Sequence, residues 1–258
     1  MLREERHYLI LELLRLRGKV QTLELSRTLQ VSEDTLRRDL RELAARGKLQ
    51  RVHGGALPRS PSAAGGFAER EGQAAHAKQE LAVVAARLIQ DNQVILIDSG
   101  TTNLQVARRL PRSLCATVVT PSPAIAMALL PYPQVEVVLL GGRLSRASES
   151  TIGIATAEAL QRGRVDVLLL GVCSLHPEIG ISVADGEEAL LKRIMVAQSA
   201  EVIAVAVADK LGTAMPYVVG PVGELTYLVV EHFVPDDVIA PYVDSGVSVL
   251  RSEQSFNL

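Results

Sequence analysis

The sequence predicts an α/β protein in which a small N-terminal module of helices and a hairpin precedes a larger domain with a mostly parallel sheet. In the first 57 residues, leucines recur at helical spacing, and a glycine-containing hairpin pattern follows them. From about residue 76 onward, short runs of Val, Ile, Leu and Ala alternate with helical segments, which is typical of a sheet buried on both faces. Residues 58–72 are rich in Pro, Ser, Ala and Gly and are predicted to be a linker. The expected domains are therefore 1–57 and 73–258.

Composition excludes several classes of protein. Apolar residues make up 48% of the 258 positions and charged residues 22%, which indicates a folded chain rather than a disordered one. Every apolar run is far shorter than the roughly 20 residues of a membrane-spanning helix, and the N-terminus has no secretory pattern. Two cysteines, Cys115 and Cys173, are too few for a disulfide framework or a zinc site. We therefore expect a soluble, cytoplasmic protein without a membrane partner, a metal or a cofactor.

The N-terminal module is predicted to contain three helices and a hairpin. The first helix is expected to end at Gly18, because glycine is favoured just after the last helical turn. Thr22 is expected to cap the second helix and Ser32 the third, since both hydroxyls can accept a hydrogen bond from the first turn. Residues 48–57 complete the module as a basic hairpin.

The third helix is the most informative element of this module. Leu36, Leu40 and Leu43 form its buried stripe, so Arg38 and Arg41 are expected to point away from the core. Guanidinium groups near the start of an exposed helix suit both guanine and phosphate in the major groove of DNA. The helix is therefore a candidate recognition helix.

Charge is distributed unevenly along the chain. Residues 1–57 hold 12 Lys and Arg against 8 Asp and Glu, whereas residues 58–258 hold 15 against 21. Six of the basic residues lie within 34–51, against three acidic ones. This block suggests a polyanion as partner, but charge alone favours the simpler interpretation of an ordinary solvated helix face.

Small and hydroxyl residues follow the predicted strands of the larger domain, where ligands of parallel sheets bind. Residues 98–102, Asp-Ser-Gly-Thr-Thr, come directly after the strand 94–97 and open a helix, so amides, hydroxyls and a positive helix end suit an anion such as phosphate. The pattern is neither that of a dinucleotide fold nor a Walker loop. Three further strand ends carry similar residues: Thr120-Pro121-Ser122, Gly141-Gly142-Arg143 and Gly171-Val172-Cys173.

Residues 31–56, VSEDTLRRDLRELAARGKLQRVHGGA, resemble the DNA-binding signature of DeoR-type bacterial transcription regulators, with Leu36 where the family more often has Ile. The resemblance implies a winged helix-turn-helix that binds double-stranded operator DNA. Asp39 is expected to be structural and to hold an arginine, because a carboxylate facing phosphates would repel them. The predicted DNA-binding residues are Ser32, Asp34, Thr35, Arg37, Arg38, Arg41, Lys48, Arg51, His53 and Gly54.

Residues 76–232 resemble the sensor domain of the same family, which implies a Rossmann-like fold similar to ribose-5-phosphate isomerase and a phosphorylated sugar or related metabolite as ligand. The chain departs from the family pattern at Pro121, which replaces an Asn, at the contracted pair Asp209-Lys210, and at residues 230–232. Lys192 and Lys210 are candidate phosphate cations or solvated lysines. The predicted effector-binding residues are Lys78, Asp98, Ser99, Gly100, Thr101, Thr102, Thr120, Ser122, Gly141, Gly142, Gly171, Lys192, Asp209 and Lys210.

These features predict a homo-oligomeric repressor of a carbohydrate-metabolism operon that a sugar phosphate releases from DNA. Two alternatives remain at this stage. One is a sugar-phosphate isomerase with an accessory DNA-binding domain, for which Asp98, Asp185, Glu187 or Glu188 could supply a base. The other is a DNA-binding protein whose ligand pocket no longer functions.

Overall fold

Three helices and a small antiparallel sheet form the N-terminal domain in the computed structural model, which describes residues 1–60 and 65–253. The sheet has the strand order β1-β3-β2. The elements are α1 (Arg3–Arg17), β1 (Val20–Gln21), α2 (Thr22–Leu29), α3 (Glu33–Ala45), β2 (Gln50–Val52) and β3 (Gly55–Leu57).

Local capping explains where these helices begin and end. Gly18 ends α1 at φ +68°, and the Ser32 hydroxyl accepts a hydrogen bond from the Thr35 amide at the start of α3, at 3.2 Å. The prediction for Thr22 was wrong, because Gln21 is the capping residue and Thr22 is already helical. The cause is β1, which brings the chain to α2 directly from the sheet, with the Thr22 amide bonded to the Gly54 carbonyl.

Buried leucines and one ion pair hold this domain together. Leu36, Leu40 and Leu43 are buried against α1, as the helical spacing predicts. Asp39 is buried and accepts hydrogen bonds from Arg6 Nε at 2.5 Å and from Arg6 Nη2 at 3.0 Å. The predicted structural role of Asp39 is therefore confirmed, and its carboxylate joins α3 to α1.

A seven-stranded parallel sheet forms the centre of the second domain, with the order β15-β14-β12-β9-β4-β5-β6. Both faces of the sheet are covered, since neighbouring residues of one strand belong to different apolar clusters. The strands are β4 (Val94–Ile97), β5 (Ala116–Thr120), β6 (Val135–Leu139), β9 (Val165–Leu170), β12 (Ser199–Val205), β14 (Tyr227–Val230) and β15 (Ser248–Arg251).

Helices and two smaller antiparallel sheets surround this sheet. Sequence patterns did not predict the smaller sheets, because their strands are three or four residues long. One pairs β7 (Arg143–Ser145) with β8 (Ser150–Ile152), and the other joins β10 (Ser174–His176), β11 (Gly180–Val183) and β13 (Tyr217–Gly220). The helices are α5 (Ala75–Ala86), α6 (Thr101–Arg109), α7 (Pro123–Leu129), α8 (Ile154–Gln161), α9 (Gly186–Ala197) and α10 (Asp236–Asp244).

The predicted linker is partly structured. Residues 67–72 form the helix α4 (Phe67–Gly72), and Phe67 is buried in the apolar cluster that lines one face of the large sheet. One aromatic residue among Gly, Ala and Ser gives no helical period, so the sequence did not reveal this helix. Residues 61–64 of the predicted linker and 254–258 of the predicted sensor domain lie outside the described residues.

The strand order changes direction between β4 and β9. From β4 the chain adds β5 and β6 on one side, whereas β9 is followed by β12, β14 and β15 on the other. In open parallel sheets, the carboxyl ends of strands at such a reversal border a crevice in which ligands bind. The loop that follows β4 is therefore the expected position of a ligand site. Among the described residues, no helix has the length and apolar character needed to cross a membrane.

Candidate functional site

A small cavity lies at this crevice, between the loop after β4 and the chain after β9. Its volume is about 40 Å³, which is room for about three water-sized groups at roughly 10–15 Å³ each. Such a space matches the oxygens of one phosphoryl group. Its lining residues are Arg70, Ser99, Gly100, Thr101, Thr102, Asn103, Ser148, Gly171, Val172, Cys173, Glu188, Lys192, Val205 and Lys210.

Two glycines shape the cavity. Gly100 has φ +136°, a conformation that favours glycine, and it caps α6, whose first-turn amides have no partner within the helix. A Cβ on Gly171 would lie 2.2 Å from the Ser99 carbonyl oxygen, so no larger residue fits there. The Thr102 hydroxyl is buried and has no hydrogen-bond partner among the described residues. The cavity thus offers free donors to an anion.

Asp98 fixes the loop to β9. Its carboxylate accepts hydrogen bonds from the amides of Ser99, at 2.7 Å, and Gly171, at 2.9 Å. It also forms a buried ion pair with Lys192, whose ammonium group donates to the Gly171 carbonyl at 2.8 Å. Asn103 completes the junction by donating to the carbonyl of Asp98 itself, at 3.0 Å. Asp98 is therefore a bracing residue behind the cavity wall.

The ion pair sets the charge of Lys192. Burial alone would lower the pKa of Lys192, but the carboxylates of Asp98 and Glu188 raise it above its usual value. Burial raises the pKa of Asp98, and the Lys192 ammonium opposes that rise. Lys192 lines the cavity as a cation whose charge is already largely neutralised.

Lys210 and Lys78 are cations of a different kind. The Lys210 ammonium donates to the Val172 carbonyl at 2.8 Å and forms no ion pair within the described part of the chain. Burial lowers the pKa of Lys210; Cys173 and Asp209 oppose that effect, and the charges of Arg70 and Lys192 add to it. Burial also lowers the pKa of Lys78, together with the charges of Lys210 and Arg70, to about 8. Lys210, Lys78 and Arg70 repel one another, and an anion bound among them would relieve that repulsion.

The structure brings seven of the predicted effector residues to the cavity: Ser99, Gly100, Thr101, Thr102, Gly171, Lys192 and Lys210. Thr120 donates to the Ile97 carbonyl at 2.6 Å and so braces the end of β4. Lys78, Asp98, Thr120, Ser122, Gly141, Gly142 and Asp209 are absent from the residues that line the cavity.

Sequence reasoning missed several lining residues. Arg70 lies on α4, in the predicted linker, and Ser148 lies in the turn between β7 and β8. Neither residue directly follows a strand of the large sheet, and it was this position after a strand that identified the predicted effector-binding residues. Glu188 was not among the predicted effector-binding residues, although its place one helical turn before Lys192 could have suggested a shared site.

A larger chamber adjoins the cavity and shares Arg70, Ser148, Cys173 and Glu188 with it. Its volume is about 240 Å³. It adds two carboxylates, one hydroxyl and one arginine to the lining, and such groups bind sugar hydroxyls. Its further lining residues are Gly65, Arg143, Ser145, Ala147, Ile152, Ala184, Asp185 and Glu187.

The departures from the family pattern fall outside the cavity or leave it intact. The Pro121 carbonyl accepts hydrogen bonds from the amide and the hydroxyl of Thr151, at 2.8 Å and 3.2 Å. The contracted pair lies on a single 3₁₀ turn, residues 208–210, which still places Lys210 in the cavity wall. Glu231, within the third departure, is buried, and burial raises its pKa.

The N-terminal domain presents a basic surface around α3 and the hairpin. Arg38 and Arg41 are exposed and form no ion pair or hydrogen bond among the described residues. Arg37 differs, because it pairs with Glu33 at 2.9 Å and approaches Asp34 at 3.6 Å. Of the other predicted residues, Ser32, Asp34, Lys48, Arg51, His53 and Gly54 are exposed, and Thr35 is half-buried.

The hairpin lies beside the start of α3. Arg37, Arg51 and His53 border one groove between α3 and the turn of the hairpin. Gly54 has φ +76° in that turn, and a Cβ on Gly55 would lie 1.9 Å from the Val20 carbonyl oxygen. The glycine pair thus lets the hairpin pack against β1 and project beside the helix.

Comparison with known proteins covers both domains. Residues 6–61 match the model of the DeoR-like helix-turn-helix domain, and residues 73–232 match that of the DeoR C-terminal sensor domain. The chain is 33% identical to the HTH-type transcriptional repressor GlcR of Bacillus subtilis over 98% of both chains. It is 36% identical to the HTH-type transcriptional regulator GlpR of Haloferax volcanii over 82% of this chain and 83% of that one.

Among solved structures, ribose 5-phosphate isomerase A from Neisseria gonorrhoeae is 19% identical, with a TM-score of 0.38. The match covers 55% of this chain and about half, 52%, of that one. A likeness of this size carries no conclusion about activity. The family models and the curated relatives confirm the predicted fold and establish the family. The chain belongs to the DeoR family of transcriptional regulators.

Proposed function

We propose that this chain represses a carbohydrate-metabolism operon and leaves its operator when a phosphorylated sugar or related anionic metabolite binds the sensor domain. The observation that carries the proposal is the cavity at the β4–β9 crevice, with free amides, a hydroxyl and cations that repel one another. The phosphoryl group occupies this cavity. The remainder of the metabolite extends into the adjoining chamber, where carboxylates and serine hydroxyls bind its hydroxyl groups.

Operator binding is assigned to α3 and the hairpin. Arg38 and Arg41 are exposed and uncommitted within the described residues, so their guanidinium groups are available to guanine or phosphate. Arg37 has to exchange its contacts with Glu33 and Asp34 for contacts with DNA. Lys48, Arg51 and the turn at Gly54 approach the neighbouring backbone of the duplex.

The test is binding by the full chain to a duplex that it selects from a random pool, followed by a thermal-shift screen of phosphorylated sugars. The proposal requires that at least one compound raises the melting temperature of the protein and weakens duplex binding at constant ionic strength. A screen in which stabilising compounds leave duplex affinity unchanged would support the alternative of a pocket without regulatory function.

A two-fold operator needs two recognition helices about 34 Å apart, so we propose a homo-oligomer. The edge strand β6 supports this, because Val138 and Leu139 on it are exposed, as is Leu144 on β7. Exposed apolar residues on a sheet edge favour association. Sedimentation of the full chain tests the assignment: the wild type should be at least dimeric, and Leu139→Lys should shift it toward monomer. A monomeric wild type would contradict it.

We further propose that the chain acts in the cytoplasm, with the operator, and has no enzymatic activity. The four carboxylates considered as bases are all engaged: Asp98 and Glu188 with Lys192, Glu187 with Arg143, and Asp185 with the first amides of α9. Glu188 still lines the cavity, which is the one observation in favour of an isomerase. Incubation with aldose and ketose phosphates decides, since turnover above background would support the enzyme.

A further inference from the structure

We propose that Arg70, from the segment that joins the two domains, is a ligand of the bound anion and carries the state of the cavity to the DNA-binding domain. This inference rests on the proposed function. It adds to that function an anion ligand, Arg70, and a connection from the cavity to the DNA-binding domain. Arg70 lies on α4, only 13 positions after β3 ends at Leu57.

The position of Arg70 supports the ligand role. It lines both the small cavity and the adjoining chamber, so its side chain stands where the two meet. One guanidinium nitrogen donates to the Ala147 carbonyl at 3.1 Å. Its Nε is buried and has no hydrogen-bond partner among the described residues. A buried donor without a partner costs free energy, which an anion oxygen would recover.

The backbone of Arg70 is bound to the same site. Its carbonyl accepts a hydrogen bond from the Lys78 ammonium group and a longer one, at 3.5 Å, from the Thr101 hydroxyl in the loop at residues 98–102. Phe67 anchors α4 in the apolar cluster beneath. A displacement of Arg70 toward an anion therefore moves both α4 and the loop that holds the anion.

The other end of the joining segment is tied near the same cavity. The Pro58 carbonyl accepts from the Ala214 amide at 3.3 Å, and the Ser60 hydroxyl lies 3.3 Å from Asp209, the neighbour of Lys210. The segment that leaves the hairpin thus contacts the sensor domain at Ala214 and Asp209, as well as through Arg70. Binding an anion between Arg70 and Lys210 changes the forces on both attachments, and with them the placement of the hairpin.

The experiment uses inorganic phosphate as probe and three full-length variants. Arg70→Met removes the guanidinium group that would bind the anion. Arg70→Lys keeps the positive charge but not the planar guanidinium geometry, and Arg108→Met is the control. Arg108 pairs with Glu71 of the same helix α4 at 3.1 Å and does not line the cavity. Melting temperatures establish that each variant is folded.

Calorimetric titration with phosphate is the first measurement. Arg70→Met should weaken phosphate binding roughly 10- to 100-fold, the value of one or two hydrogen bonds to a charged group. Arg70→Lys should fall between it and the wild type, and Arg108→Met should stay within about twofold of the wild type. Wild-type affinity in Arg70→Met overturns the ligand role. If the wild type itself fails to bind phosphate, the anion cavity fails and the inference fails with it.

Hydrogen exchange at saturating phosphate is the second measurement and tests the route. In the wild type and in Arg108→Met, phosphate should slow exchange in peptides that cover residues 66–72 and 57–60. In Arg70→Met, saturated with phosphate, those peptides should exchange as in the free protein while the loop at 98–102 remains protected. Equal protection of the joining segment in Arg70→Met and the wild type would overturn the proposed route, even with the cavity intact.

Discussion

Replacing Lys192 by methionine removes the ammonium group that neutralises Asp98 behind the wall of the β4–β9 cavity. Both side chains are buried, at 2% and 4% exposure, so solvent screens the pair only weakly. After the substitution, the Asp98 carboxylate keeps its two amide donors, from Ser99 and Gly171, but loses its counter-charge. It must then either remain charged in the interior or take up a proton.

Breaking a buried ion pair by removing one partner costs about 3–5 kcal/mol. The two amide donors that remain place this case near the lower end, about 3 kcal/mol, and the partly exposed Glu188 adds little. For a chain of this size, 1 kcal/mol corresponds to roughly 2–4 °C, so the melting temperature should fall by roughly 6–12 °C. The contrast is Lys210→Met, which breaks no ion pair and should cost about 1 kcal/mol or less.

Differential scanning calorimetry of the two variants beside the wild type makes the comparison. The reasoning predicts that Lys192→Met is destabilised, and that Lys210→Met melts near the wild type but binds phosphate more weakly. If Lys192→Met lost under 1 kcal/mol while Lys210→Met lost 3 kcal/mol, the roles assigned from charge pairing would have to be exchanged.

Three further predictions concern pH, DNA and the N-terminal core. Lys78, which faces Lys210, Arg70, Asp209 and Glu71, has a pKa lowered by burial to about 8, so the folded state releases its proton below the pH at which the unfolded state does. Lys78→Met should therefore have a larger free energy of unfolding than the wild type at pH 7, and this difference should shrink as the pH rises above 8. Denaturant unfolding at several pH values measures it. A difference that stays constant with pH would contradict the lowered pKa of Lys78. Arg38→Ala should weaken operator binding by about 1–3 kcal/mol in titrations at fixed salt. The loss should exceed that of Arg37→Ala, because Arg37 must first leave its acidic partners. Equal operator affinity of Arg38→Ala and the wild type would exclude a guanine contact. Asp39→Asn should lower the free energy of unfolding of the N-terminal domain by about 3 kcal/mol, because it leaves Arg6 buried without a counter-charge. Urea unfolding measures this change. Loss of DNA binding without loss of stability would refute the prediction.

Features set by neighbouring residues could be predicted from the sequence. The stripe of Leu36, Leu40 and Leu43 fixes which face of α3 is exposed, and the step from β4 into residues 98–102 places amides and hydroxyls at a helix start. Both depend on a few consecutive positions. The residues of each segment therefore carried enough information for the exposed face of α3 and for the loop at residues 98–102.

Features set by distant residues could not be predicted. Lys192 and Lys210 are equivalent as sequence letters, but only Lys192 meets Asp98, which lies 94 positions away. Arg70 enters the cavity because Phe67, on a helix of six residues, is buried in the sheet domain. Likewise, Thr22 lost its expected capping role to a strand pairing with residues 55–56. In each case a contact made only in the folded chain decided the role.

The central claim is that a phosphoryl group in the β4–β9 cavity releases the protein from its operator. The most direct measurement is duplex affinity of the full chain at constant ionic strength, with a panel of sugar phosphates and the same sugars without phosphate. The account predicts that at least one phosphorylated compound weakens duplex binding tenfold or more, and that its unphosphorylated counterpart has no effect. Equal effects of a sugar and its phosphate, or no effect of any compound that stabilises the protein, would contradict it.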